Sequence, residues 1–176
     1  MWIIFIIACA LVLLDQITKV IVEVFIEDHS YVNIFDDFLY LTKTYNTGAG
    51  WSMMDDNTLL LALLSLVASI IFIYITCKHL KSFKKHIMPS IAMSLALGGC
   101  VGNMVDRFLT VFNLREGVID FIGMYIGDYS WPIYNLADIF LVIGVIVFAI
   151  WGIFFSENND KKKEDKKKKK AGDFNA

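Results

Sequence analysis

Four apolar runs set the terms for any fold this chain can adopt. Asn57 to Cys77 and Ile87 to Val105 carry no charged residue, and Ile139 to Ser156 is a third such run. A helix needs roughly 20 apolar residues to cross a hydrocarbon core about 30 Å thick. The first two runs have that length, and the third reaches it with Leu136 and Asp138 included. The fourth run, Met1 to Leu14, rises only about 21 Å as a helix, so a first span must continue through Asp15 and Lys19 to about Val20. A cleaved signal peptide is the competing reading, but no Lys or Arg precedes the run and the stretch ahead of Cys9 is short. With 57% hydrophobic residues, the chain lies well above an ordinary soluble domain.

The basic residues give the orientation. Lys78, Lys81, Lys84 and Lys85 lie between the second and third runs, and eight more lysines lie in Lys161–Lys163 and Lys166–Lys170. Twelve of the 16 Lys and Arg thus occupy two segments separated by two spans, which places both on one side, the cytoplasm by the positive-inside rule. Both termini are then cytoplasmic, and the linkers at about 20–57 and 106–134 are outside. The expected organisation is a four-span domain over residues 1–155, with helices at about 1–20, 58–77, 87–106 and 136–155. A lysine-rich tail over 156–176 follows, expected to be disordered and drawn to anionic lipid rather than to nucleic acid.

On this topology the unusual polar residues collect at one face. Asp15 and Lys19, spaced to share a helix face, fall at the outer end of the first span. Asn103, Asp106 and Arg107 fall at the outer end of the third, and Asn135 and Asp138 at the outer start of the fourth. Asn46 and Gly48, in Tyr45-Asn-Thr-Gly-Ala-Gly-Trp-Ser52, lie on an outer loop, as does Asp120. Ionisable groups in membrane segments are costly and usually functional, so this convergence points to a site near the outer leaflet boundary.

Each residue also has a plainer reading. Asp138 suits the capping position of its helix, where a carboxylate favours the positive end of the dipole. Asp106 and Arg107 fit a structural ion pair. Gly98, Gly99 and Gly102 fit close helix packing, and Asn46 a turn. Trp51, Tyr129, Trp131 and Tyr134 fit an interfacial aromatic belt. Other chemistries lack parts: Cys9, Cys77 and Cys100 have no metal-site spacing, and His29, His79 and His86 are scattered. Ser52 has no base near it in sequence, and no phosphate-binding glycine loop occurs. Two carboxylates, Asp120 and Asp138, remain as the plausible acid–base pair, with no metal and no cofactor expected.

Asp15-Gln-Ile-Thr-Lys19, Asn46-Thr-Gly-Ala-Gly50, Gly102-Asn-Met-Val-Asp-Arg107, Val118-Ile-Asp-Phe121 and Tyr134-Asn-Leu-Ala-Asp138 occur in the order seen in the bacterial lipoprotein signal peptidases, or signal peptidase II. The chain resembles that family over about residues 1–155. The resemblance implies an all-α integral membrane protein, a four-helix bundle with a small outer-face β-element drawn from about Ser30 to Tyr45. It also implies an aspartyl endopeptidase of the bacterial plasma membrane. Its substrates would be diacylglyceryl-modified prolipoproteins, cut just before the lipidated cysteine. Asp120 and Asp138 would be the catalytic dyad, with Asn46, Gly48, Asn103, Asp106, Arg107 and Asn135 lining or holding the site and Asp15 and Lys19 supporting it. Inhibition by globomycin-type cyclic peptides, contact with membrane lipid and action as a monomer are further expectations.

Two departures from the family pattern stand out. Gly50 takes a place where alanine is more usual. The stretch between Arg107 and Asp120 looks longer than in relatives, and is expected to hold a mobile loop over the site.

Overall fold

In a hydrocarbon environment the backbone must satisfy its own amides and carbonyls, so each long apolar run becomes a helix. The computed structural model describes residues 2–28, 30–35, 38–48, 57–83 and 86–172. The elements follow as α1 (Ile3–Phe25), β1 (Val32–Phe35), β2 (Leu39–Asn46), α2 (Thr58–Phe83), α3 (Ile87–Val111), β3 (Val118–Ile126), β4 (Tyr129–Tyr134) and α4 (Leu136–Gly172). Four segments among the described residues are long and apolar enough to cross a membrane: Ile3–Phe25, Thr58–His79, Ile87–Val111 and Leu136–Phe154. The protein is a multi-pass membrane protein.

α3 is the central helix and packs against α1, α2 and α4. Lipid tails are as apolar as leucine, so helices associate in membranes through close packing of small residues. α3 supplies them: Ala92, Ala96, Gly98 and Gly99 are all buried. At Gly99 an added Cβ would overlap the Ala137 carbonyl and the Leu141 amide of α4. The outer helices instead turn large side chains to the surroundings, among them Leu13 and Ile17 of α1, Ile70 of α2 and Ile146 of α4.

Two hairpins join edge to edge into one antiparallel sheet, in the order β1-β2-β3-β4. The β2–β3 pairing sets Thr44 opposite Asp120, Tyr45 opposite Ile119 and Asn46 opposite Val118. Side chains alternate across a strand. Ile119 and Phe121 therefore bury against Val22 of α1, while Val118 and Asp120 face the other way. The β3–β4 turn opens with Gly127 at φ 60, a left-handed conformation natural to glycine.

Several expectations change here. Among the described residues the β-element has four strands, because residues 118–134, expected as an outer loop, form a second hairpin; Asp120 is on a strand. The helices overrun their expected ends: α1 reaches Phe25, α3 reaches Val111, and α4 continues past 155 into the lysine-rich segment as far as Gly172. Lysine and glutamate are good helix formers, and extending an existing helix costs far less than starting one. The stretch 108–117 is no loop over the groove: it completes α3, then folds back on α1 and α3. Trp51, Ser52 and Gly50 lie outside the described residues.

Candidate active site

Three asparagines arrange the carboxylates, and each is oriented by what its oxygen accepts. The Asn46 Oδ1 accepts the Gly48 amide at 2.9 Å, which turns its Nδ2 to donate to Asp120 Oδ2 at 2.9 Å. The Asn103 Oδ1 accepts Lys19 Nζ at 3.1 Å, and its Nδ2 donates to Asp138 Oδ1 at 2.7 Å. The Asn135 Oδ1 accepts the Asp138 amide at 3.1 Å, and its Nδ2 donates to Asp120 Oδ1 at 2.6 Å and to Asn103 Oδ1 at 3.1 Å. The last oxygen, Asp138 Oδ2, accepts the Asn135 amide at 3.1 Å. All four carboxyl oxygens of Asp120 and Asp138 thus have a donor. Asn135 holds the capping position of α4 that the sequence suggested for Asp138; Asp138, in the first turn, returns the bond through Oδ2 while its Oδ1 serves the site.

Burial and charge set Asp120 apart. It is 3% exposed, and desolvation first, then the nearby Asp138 charge, push its carboxyl up from the ordinary carboxylate range to about 7; the Asn46 and Asn135 hydrogen bonds and Lys19 pull the other way. Asp138 is half-buried and opens on a cavity of about 520 Å³ that Asp120 also lines. Asn46, Asn103 and Arg107 complete the polar wall. The rest is apolar, from Val118 and Met124 of β3, Trp131, Ile133 and Tyr134 of β4, and Ile139, Val142 and Ile143 of α4. Such a groove, largely greasy with a few convergent polar groups, suits an apolar ligand of moderate size.

Beneath the asparagines lies a buried charge cluster. Lys19 Nζ is 2.8 Å from Asp15 Oδ2 and 2.6 Å from Asp106 Oδ2, all three side chains fully buried. Arg115 pairs with Asp106 Oδ1. Asp15 also accepts the Ala137 amide of α4 at 3.0 Å. A buried carboxylate survives only when paired and hydrogen-bonded, and here two acids meet two bases. Gly102 makes the approach possible, since a Cβ there would stand 2.8 Å from Asp15 Oδ2 and 3.0 Å from the Ala137 Cβ.

The ten residues read from sequence as catalytic, lining or supporting (Asp15, Lys19, Asn46, Gly48, Asn103, Asp106, Arg107, Asp120, Asn135 and Asp138) all lie in this assembly, some with partners other than those expected. Asp106 and Arg107 do not pair with each other: successive helix residues point apart, so Asp106 meets Lys19 and Arg115 while Arg107 Nη1 donates to Ser65 Oγ of α2 at 2.9 Å. Trp131 and Tyr134 line the cavity. Gln16, Ser65, Arg115 and the apolar wall join the site only in the structure. Gln16 Nε2 donates to Asp15, Asp106 and the Gly102 carbonyl; its place beside Asp15 was the available signal. Arg115 had no local signal, because its partners are on two other elements.

Two hydrogen-bonded carboxylates at the end of a four-span bundle, on the wall of a greasy groove, define a class: the aspartic peptidases of membranes. The family model described as "Signal peptidase (SPase) II" matches residues 7–154. The lipoprotein signal peptidase of Geobacillus kaustophilus is 39% identical over 151 residues, covering 85% of this chain and 92% of that one. The lipoprotein signal peptidase of Listeria monocytogenes serotype 4a is 33% identical over 147 residues, covering 84% and 90%. A bacterial membrane enzyme solved by the in meso method at 2.3 Å superposes with a TM-score of 0.76 at 30% identity, covering 88% of this chain and 90% of that one. A second, solved at 1.9 Å, gives 0.70 at 31% identity, over 84% and 90%. The chain belongs to the signal peptidase II family, and is an aspartic peptidase.

Proposed function

We propose that this protein removes the signal peptide from diacylglyceryl-modified prolipoproteins, cutting before the lipidated cysteine, with Asp120 and Asp138 as its catalytic dyad. The observation that carries this reading is the asparagine cradle. Asn46, Asn103 and Asn135 hold two carboxylates from separate elements on the wall of one apolar groove, where an acyl chain and an apolar signal segment can lie out of water.

In this mechanism Asp120, whose carboxyl titrates at about 7, carries the proton and donates a hydrogen bond to the scissile carbonyl. Asp138, facing the cavity, takes a proton from the attacking water. The oxygen adds to the carbonyl carbon, the carbonyl oxygen receives the Asp120 proton, and the Asp138 proton then passes to the departing amine as the C–N bond breaks. The neutral diol returns a proton to Asp120 as it collapses to the acid, leaving the dyad as it began. Arg107, with a buried Nε that has no hydrogen-bond partner among the described residues, is suited to a polar group of the substrate.

The lysine distribution supports cytoplasmic termini and a site near the outer leaflet of the bacterial plasma membrane. Residues 1–155 would form the catalytic unit, acting as a monomer, and 156–176 an anchor to anionic lipid. Globomycin-type peptides would compete for the groove. Mass spectrometry of a precursor peptide, with and without its diacylglyceryl group, tests the reading: the lipidated form should yield one new N-terminus, the modified cysteine. Equal cleavage of both forms, or cutting elsewhere, would refute it.

A further inference from the structure

α3 ends in a defined reversal. The Asn113 amide donates to the Thr110 carbonyl at 3.0 Å and the Leu114 amide to the Leu109 carbonyl at 2.8 Å. Asn113 has φ 57. This is a Schellman motif, which needs a left-handed residue after the helix, a conformation asparagine tolerates. The reversal carries Arg115 back onto the helix ends. Its Nη1 donates to Asp106 Oδ1 at 2.5 Å and to Gln16 Oε1 at 3.4 Å, and its Nη2 lies 3.5 Å from Glu23 Oε2. The side chain is 8% exposed. Gly117 then lies against the Asn46 backbone, where a Cβ would stand 3.0 Å from both N and O. β3 begins at Val118, and Asp120 follows on it.

We propose that Arg115 is a positioning residue for the dyad, clamping the segment that feeds β3 so that Asp120 enters at the right register. The inference rests on the reading of Asp120 and Asp138 as the catalytic pair. The path from Arg115 to Asp120 is short and fixed at both ends, by the guanidinium on α1 and α3 and by Gly117 on β2. A shift at Arg115 therefore reaches Asp120 instead of dissipating in a loop. Arg115 also acts on Asp138. Asp15 and Asp106 with Lys19 alone leave one uncompensated negative charge in a dry place, and Arg115 restores the balance. Lys19 can then stay on Asn103 Oδ1, which fixes the amide that donates to Asp138. A planar fork meets Asp106, Gln16 and Glu23 together, which an ammonium does less well.

The test is steady-state kinetics of the full-length enzyme in detergent, on a diacylglyceryl-modified precursor peptide, with thermal unfolding measured in the same detergent. Arg115→Met, Arg115→Lys and Asp120→Asn are compared with wild type. A folded Arg115→Met should lose about tenfold or more in kcat with KM within about threefold, because misplaced catalytic groups cost rate before binding. Arg115→Lys should recover part of that loss. Wild-type kcat in folded Arg115→Met, or a defect confined to KM, overturns the proposal. If Arg115→Met does not fold, Arg115→Lys decides: wild-type kcat overturns it, and a reduced kcat at unchanged KM sustains it. Asp120→Asn separates the two levels. Full activity there removes the dyad reading itself, whereas an inactive Asp120→Asn beside a fully active Arg115→Met removes only the role of Arg115.

Discussion

Asn135 and Asp138 cap one helix reciprocally: the Asp138 amide donates to the Asn135 Oδ1 and the Asn135 amide to the Asp138 Oδ2, each at 3.1 Å. This is a capping box built from Asn and Asp, and it ties α4 to the site, because the Asn135 Nδ2 also donates to Asp120. The start of a membrane helix and the geometry of a carboxylate pair are therefore set by one side chain.

Asn135 can accordingly be dissected. Asn135→Ala should cost about 1–2 kcal/mol through the lost cap and about 100-fold in kcat through the lost donor to Asp120. Asn135→Ser keeps a capping oxygen but has no amide to reach Asp120. It should recover most of the stability and little of the rate, checked by unfolding in detergent alongside precursor cleavage.

The raised Asp120 carboxyl predicts a pH dependence with a definite sign. If Asp120 supplies the proton, kcat/KM falls as pH rises through about 7. Stability should move the same way. The folded state holds this proton up to about 7, against 3.8 for the free group, so it binds more protons than the unfolded chain between those values. Stability is then lost as pH rises across the window, by as much as about 4 kcal/mol. Asp120→Asn should abolish that slope, measured by unfolding at pH 5 and pH 8.

The buried charge cluster predicts strong, coupled effects. Lys19→Met leaves Asp15 and Asp106 facing each other without their shared cation and should destabilise by about 3–5 kcal/mol. Adding Asp15→Asn removes one of the stranded charges and should return part of that loss, a coupling that a double-mutant cycle measures directly.

Close packing of α3 on α4 is a further requirement. Gly99→Ala would push a methyl into the Ala137 carbonyl and the Leu141 amide, displacing the helix that carries Asp138. Both stability and cleavage should fall, the former by about 1–3 kcal/mol. Gly152→Ala, with nothing among the described residues within 4 Å of its Cβ position, should leave cleavage unchanged and not lower stability.

Much of this was legible in the sequence, because membrane solvation leaves few options. Apolar runs of this length read as spans, and alternating spans bring Asp15, Asn103, Asn135 and Asp138 to one end of the bundle. The β3–β4 hairpin was not legible: Gly123, Gly127 and Pro132 break its alternation, and its pairing partner is the distant β2. Asn135 read as a lining residue because a cap and a bridge look alike in one dimension. Arg115 was invisible for a related reason, since its acceptors on α1 and α3 come together only when the bundle closes.

In the proposed mechanism Asp120 and Asp138 together perform the cleavage. The most direct measurement is processing of a lipidated precursor by wild type, Asp120→Asn and Asp138→Asn, each purified in folded form. Both substitutions should abolish release of the signal peptide while the protein still unfolds cooperatively. Release at the wild-type rate by either variant would rule out the dyad.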